Sequence, residues 1–166
     1  MMNDGAFRPM EGTCSCRGVR YRMTAPPVFV HCCHCSWCQR ETGSAFVVNA
    51  MVEAECVELL AGAPLVVDTP SLSGRGQKIT RCPRCYVALW SNYPGGGDAI
   101  RFVRVGTLED AARLSPDIHI YTSSKQPWVL LPPGARAVPE FYDPRQEWPA
   151  ASLARVRAAR ERHGMK

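Results

Sequence analysis

The sequence predicts a mainly β fold: antiparallel sheets stapled by cysteine-built zinc sites, with a short C-terminal helix. Three observations predict it. Fourteen prolines and thirteen glycines punctuate 166 residues, leaving little room for long helices. Between them lie runs of strand length that alternate or are rich in β-branched residues. Eight of the nine cysteines gather in two spaced pairs and one tight cluster, as metal ligands do.

Taken in order, the strand-like runs cover residues 28–31, 45–52, 64–68, 77–80, 100–105 and 118–121. Tyr93-Pro94-Gly95-Gly96-Gly97-Asp98 reads as a loop between two of them. Residues 108–113 suit a short helix that ends before Pro116. The clearest helix covers 150–162, opened near Pro149, with Leu153 and Val156 on one face. Residues 8–142 therefore read as one zinc-binding β domain, and 143–166 as a basic helical tail.

Composition narrows the function. Hydrophobic residues make up 46% and charged residues 21%, which excludes a disordered chain. No apolar run reaches the roughly 18 residues of a membrane span, so no membrane partner is expected. The first residues lack the layout of a signal peptide, and the expectation is a cytoplasmic protein. The net charge of +5 belongs largely to residues 151–166, with five basic side chains against Glu161. That is too small a footprint to predict nucleic acid as a partner. An odd cysteine count does not fit a closed disulfide framework.

Cys14 and Cys16, read as an extended pair, point to one side. Cys82 and Cys85, with Pro83 between them, have the spacing of a zinc knuckle. Together the two pairs supply four thiolates for a closed, structural zinc; iron would accept the same donors. The middle cluster, HCCHCSWC at 31–38, allows several registers, including Cys32 with Cys35 and Cys35 with Cys38. Strand alternation favours Cys33 and Cys35 on one face, joined by Cys38 through a turn, with Cys32 and His34 opposite. Three protein ligands and an open position make a catalytic zinc; His31, His34 or His119 closing it would make a second structural one. Cys56 reads as a small buried residue, and Cys32 as either that or a redox thiol.

At these residues the chain resembles the glutathione-dependent formaldehyde-activating enzyme family, whose domain is shared with centromere protein V. The matching stretches are GTCSCRGVRY at 12–21, CHCSWCQRETGSAF at 33–46, CPRC at 82–85, and DIHIY at 117–121 followed by Trp128. The resemblance implies an Mss4-like fold. It implies a structural zinc on Cys14, Cys16, Cys82 and Cys85, and a catalytic zinc on Cys33, Cys35 and Cys38. It also implies a carbon–sulfur lyase that joins or separates glutathione and formaldehyde. One departure stands out: Tyr86 occupies a position where such domains often carry Gly, so the knuckle is expected to differ locally.

A thiol adding to an aldehyde needs its sulfur deprotonated and its new oxygen protonated. His119 is the candidate proton carrier by residue type. Arg40 and Lys125 are candidates for the carboxylates of a thiol such as glutathione, and Trp37 for a wall of the open position. The expected partners are a small thiol and an aldehyde, in a monomer or a homo-oligomer. The competing expectation is a non-catalytic zinc module that docks a protein or nucleic acid.

Overall fold

The computed structural model describes residues 7–165, arranged as two β-sheets with three helices. The smaller sheet has the order β1-β2-β5, from β1 (Met10–Thr13), β2 (Arg20–Met23) and β5 (Val57–Ala61). The larger has the order β10-β3-β4-β9-β8-β7-β6. Its strands are β3 (Phe29–Cys33), β4 (Val47–Glu53), β6 (Leu65–Thr69), β7 (Gln77–Arg81), β8 (Ala88–Asn92), β9 (Ile100–Arg104) and β10 (Ile118–Ile120). Every pairing is antiparallel except β10 with β3, which run parallel. The fold class predicted from the sequence is the one observed, a mainly β architecture with few helices.

Alternation along the strands sorts the side chains between two cores. Val30, Ala50, Val52 and Val103 pack with Tyr21, Met23 and Trp90 in the cluster shared with the smaller sheet. Their neighbours Phe29, Cys33, Met51 and Ile100 pack in a second cluster on the other face. Gly12 is needed for the first cluster: a Cβ there would lie 2.3 Å from the Tyr21 ring, whose hydroxyl shares a 2.7 Å hydrogen bond with Thr107.

Helix α1 (Ser36–Thr42) was expected only as a turn. It begins at an N-cap, Cys35, and ends at Gly43, which takes the left-handed conformation at φ 63°. The segment at 108–113 forms only a single 3₁₀ turn, Ala111–Arg113.

Helix α2 (Pro144–Glu147) opens on the Asp143 cap, and α3 (Ala150–Arg162) spans the residues foreseen. The segment read as a basic tail lies folded against the larger sheet. Ala159, Trp148, Val156 and Met165 join the second cluster. Ser152 donates to the Val28 carbonyl at 2.7 Å. Arg155 clamps Glu53 at the end of β4, Nε to Oε1 at 2.7 Å and Nη2 to Oε2 at 2.6 Å. Arg162 pairs with Glu55.

Candidate active site

Cys14, Cys16, Cys82 and Cys85 converge from segments far apart in sequence, with their sulfurs within 4.8 Å of one another. Each pair sits in a tight turn. Arg17 N–H donates to the Cys14 carbonyl at 2.9 Å, and Tyr86 N–H to that of Cys82 at 3.0 Å. Cys14 and Cys16 are therefore brought together by a turn after β1, not by the strand geometry the sequence suggested. Arg17 and Tyr86 take corresponding left-handed conformations, φ 57° and 58°. Tyr86 thus adopts the left-handed backbone that favours Gly.

The donor set fits a tetrahedral dication. Cys14–Cys16 and Cys16–Cys82 sulfurs lie 3.5 and 3.6 Å apart. Zn–S bonds of ~2.3 Å give a tetrahedral edge of roughly 3.8 Å. Backbone amides already point at the sulfurs, from Val19 to Cys14 at 3.3 Å and from Arg84 to Cys82 at 3.4 Å. Amide hydrogen bonds from Val87 and Cys16 bring the Cys85 thiol down to about 6, which favours the thiolate that a cation needs.

Cys33, Cys35 and Cys38 form a second group within the same 4.8 Å limit. Cys33 closes β3, Cys35 caps α1, and Cys38 lies in the first turn of that helix. The Cys35 sulfur accepts the Cys38 amide at 3.3 Å, and hydrogen bonds from Cys33 and Cys38 hold its pKa far below the usual thiol range. Among the described residues, no fourth His, Cys, Asp or Glu joins this group. It faces a cleft of about 1030 Å³ whose walls include Trp37, Phe102, Phe141, Trp148 and the α3 residues Leu153 and Val156.

Cys32 and His34 leave the strand on the opposite face, as alternation predicts, and meet His119 there. His34 Nε2 is 3.0 Å from His119 Nδ1 and 3.5 Å from the Cys32 sulfur. His119 pairs in register with Cys32, so it lies behind the sheet from the three-cysteine group. That placement removes it as a proton carrier in the cleft. Lys125 donates to the carbonyls of Gln126 and Val129 at 3.2 and 2.6 Å, which ties it to its own loop. Arg40 is exposed on α1, and neither cation lines the cleft. Of the residues expected around the open position, Trp37 alone is in place, 39% exposed at the cleft wall.

The sequence reading missed three features of the site. Arg104, on β9, is buried and donates to Asn49 Oδ1 at 2.6 Å and Ser91 Oγ at 3.0 Å. Its charge opposes the upward shift of the Cys38 pKa that the hydrogen bond with Cys35 and burial produce. His31 is buried, and burial lowers it to about 4, so it is neutral near pH 7. Its Nε2 meets the Tyr142 hydroxyl at 2.6 Å, and that hydroxyl accepts Trp148 Nε1–H at 2.7 Å. Finally, Arg145, Arg157 and Arg160, with Arg75 from the β6–β7 loop, border the cleft. Two of the five basic side chains counted in residues 151–166, Arg157 and Arg160, thus border the site.

Fold and site together define a β domain that carries one group of four cysteines and a second group of three that faces a cleft. Residues 9–124 match the family described as glutathione-dependent formaldehyde-activating enzyme, and the chain belongs to that family. A Halomonas elongata protein, named as a candidate enzyme of this kind, is 25% identical over 126 residues, covering 74% of this chain and 80% of its own. A crystal structure of a Rhodobacter sphaeroides protein superposes with a TM-score of 0.45 at 19% identity, over 64% of this chain and 92% of the other. No helix among the described residues is long and apolar enough to cross a membrane.

Proposed function

We propose that the protein is a zinc-dependent carbon–sulfur lyase acting on thiol–aldehyde adducts, with S-hydroxymethylglutathione, made from glutathione and formaldehyde, as the type substrate. The observation that carries this reading is the three-cysteine group facing the cleft without a fourth protein ligand among the described residues.

Cys14, Cys16, Cys82 and Cys85 would hold a structural zinc, and Cys33, Cys35 and Cys38 a catalytic one. Zinc at the second position supplies Lewis acidity that makes a thiolate available near neutral pH. The chain's own residues do the rest. Trp37 and the aromatic walls hold thiol and aldehyde close, which lowers the entropic part of the barrier. In the forward direction the sulfur lone pair forms the S–C bond while the C=O π pair moves to oxygen. The thiol's proton passes to water in the open cleft, and the alkoxide takes one back from it, so the addition is proton-neutral. Arg75, Arg145 and Arg157 at the rim are the cations placed to meet thiol carboxylates.

The test is exchange NMR with ¹³C-formaldehyde and glutathione, then other thiols and aldehydes, on zinc-loaded protein. Faster adduct formation and breakdown supports the reading, and unchanged rates across the panel refute it. X-ray absorption at the zinc edge should gain one sulfur scatterer when thiol is added. Two unchanged four-coordinate sites would favour a non-catalytic module.

A further inference from the structure

We infer that His31 and Asn49 form a two-donor seat for the carbonyl-derived oxygen of the substrate, built into the cleft floor beside Cys33. The inference rests on the lyase reading and deepens it.

Both residues line the cleft together with Cys33, Cys35 and Cys38. His31 and Asn49 face each other in the β3–β4 register, so their Cβ atoms are about 5 Å apart on one face. Cys33 follows His31 by two residues on that same face, roughly 7 Å along the strand. Each side chain is fixed by a partner that settles which atom carries hydrogen.

For Asn49 the partner is Arg104. A guanidinium only donates, so the amide oxygen must be the atom it contacts at 2.6 Å. The Asn49 NH₂ group is left with no acceptor among the described residues. For His31 the partner is Tyr142. That hydroxyl already accepts from Trp148, and its one hydrogen has no described acceptor other than His31 Nε2. With Nε2 accepting, the ring's hydrogen must sit on Nδ1. His31 Nδ1 is buried and unpartnered in the structure.

A buried N–H without a partner is costly, and a bound oxygen removes that cost. During addition the carbonyl oxygen gains the π pair and becomes an alkoxide. Two prepositioned N–H groups stabilise that charge more than they stabilise the neutral carbonyl, which lowers the barrier in both directions. Tyr142 and Trp148 act as positioning residues, because they set the histidine tautomer without reaching the oxygen.

Nitrogen-15 NMR of the zinc-loaded protein reads the tautomer directly, with Nδ1–H expected at His31 and lost in part in Tyr142→Phe. Acetate, a carboxylate probe of the seat, should shift the His31 Nδ1–H and Asn49 Nδ2–H signals with one shared affinity. Asn49→Asp keeps an acceptor for Arg104 but removes the donor, and should weaken acetate at least tenfold. In turnover of glutathione and formaldehyde, Asn49→Asp and His31→Phe should each lower kcat about tenfold or more, with KM for glutathione changed less than about twofold. An Nε2–H tautomer in the wild type, unmoved signals with acetate, or an unchanged kcat in folded variants overturns the proposal. A wild type that turns over no adduct overturns the lyase reading instead, and the tautomer and acetate measurements still decide the donors. If Asn49→Asp does not fold, Tyr142→Phe carries the same kinetic test.

Discussion

Replacing Arg155 by Ala should destabilise the protein by about 3 kcal/mol, well above what a tail charge would be worth. Glu53 is the reason. Its side chain is 8% exposed and receives two charge-assisted hydrogen bonds from Arg155. Removing one partner of a buried pair costs about 3–5 kcal/mol, because the other charge is left without compensation. The guanidinium is itself 30% exposed, which places the value at the low end. Arg155 also donates to the Pro26 carbonyl at 2.8 Å, so the same substitution releases the chain ahead of β3. For a domain of this size, 3 kcal/mol lowers Tm by roughly 6–12 °C. Circular dichroism melts of the zinc-loaded protein measure this, with urea midpoints as a check. The double variant Glu53→Gln, Arg155→Met should recover most of the loss, since no buried charge remains. A Tm within about 2 °C of wild type for Arg155→Ala would refute the idea that this pair latches α3 to the sheet.

Cys35→Ser should lose one zinc per chain by elemental analysis yet keep the wild-type β spectrum, whereas Cys14→Ser should lose its zinc and its cooperative melt together. Tyr86→Gly should raise Tm by about 2–4 °C: left-handed backbone costs a non-glycine residue about 1–2 kcal/mol, and the exposed ring contributes little packing. Glu11 is held below the usual carboxylate range by Arg22, then Arg20. A depressed carboxyl adds stability that is present above its unfolded pKa and lost as pH falls through the folded one. The stability gap between wild type and Glu11→Gln, followed by urea unfolding, should therefore close below about pH 4.5 and shrink in high salt.

Much of the β architecture could be read because its strands alternate and are bounded by Gly and Pro. Residues 45–52 and 100–105 carry two core faces each, and periodicity shows that directly. Met10–Thr13 was missed because Met10 is its one large apolar residue, and Val57–Ala61 because its apolar residues do not alternate and all but Val57 are exposed. Helix α1 was missed because it buries none of its residues, leaving no apolar stripe to detect. The cysteine groups were legible from spacing and alternation, although the Cys14 pair was grouped for the wrong geometric reason. His119 was misplaced because residue type says nothing about which face a strand presents, and only its register with Cys32 shows that. Arg104, Asn49 and Tyr142 carried no motif at all. Their roles depend on contacts between β9, β4 and the C-terminal segment, which no local pattern encodes.

The share of the cleft wall supplied by the C-terminal segment has a consequence for how such proteins diverge. The family match ends at residue 124, while the wall residues Phe141, Trp148, Leu153, Val156 and Arg157 all lie beyond it. Part of the cleft wall thus lies on a length of chain separate from both cysteine groups, while Trp37 and Phe102 complete the wall from within the matched stretch. Mutations or exchanges after residue 124 can reshape what enters the cleft while every thiolate stays where it is. Under the proposed lyase reading, grafting a relative's C-terminal segment onto residues 9–124 is a direct route to changing preference among thiols and aldehydes.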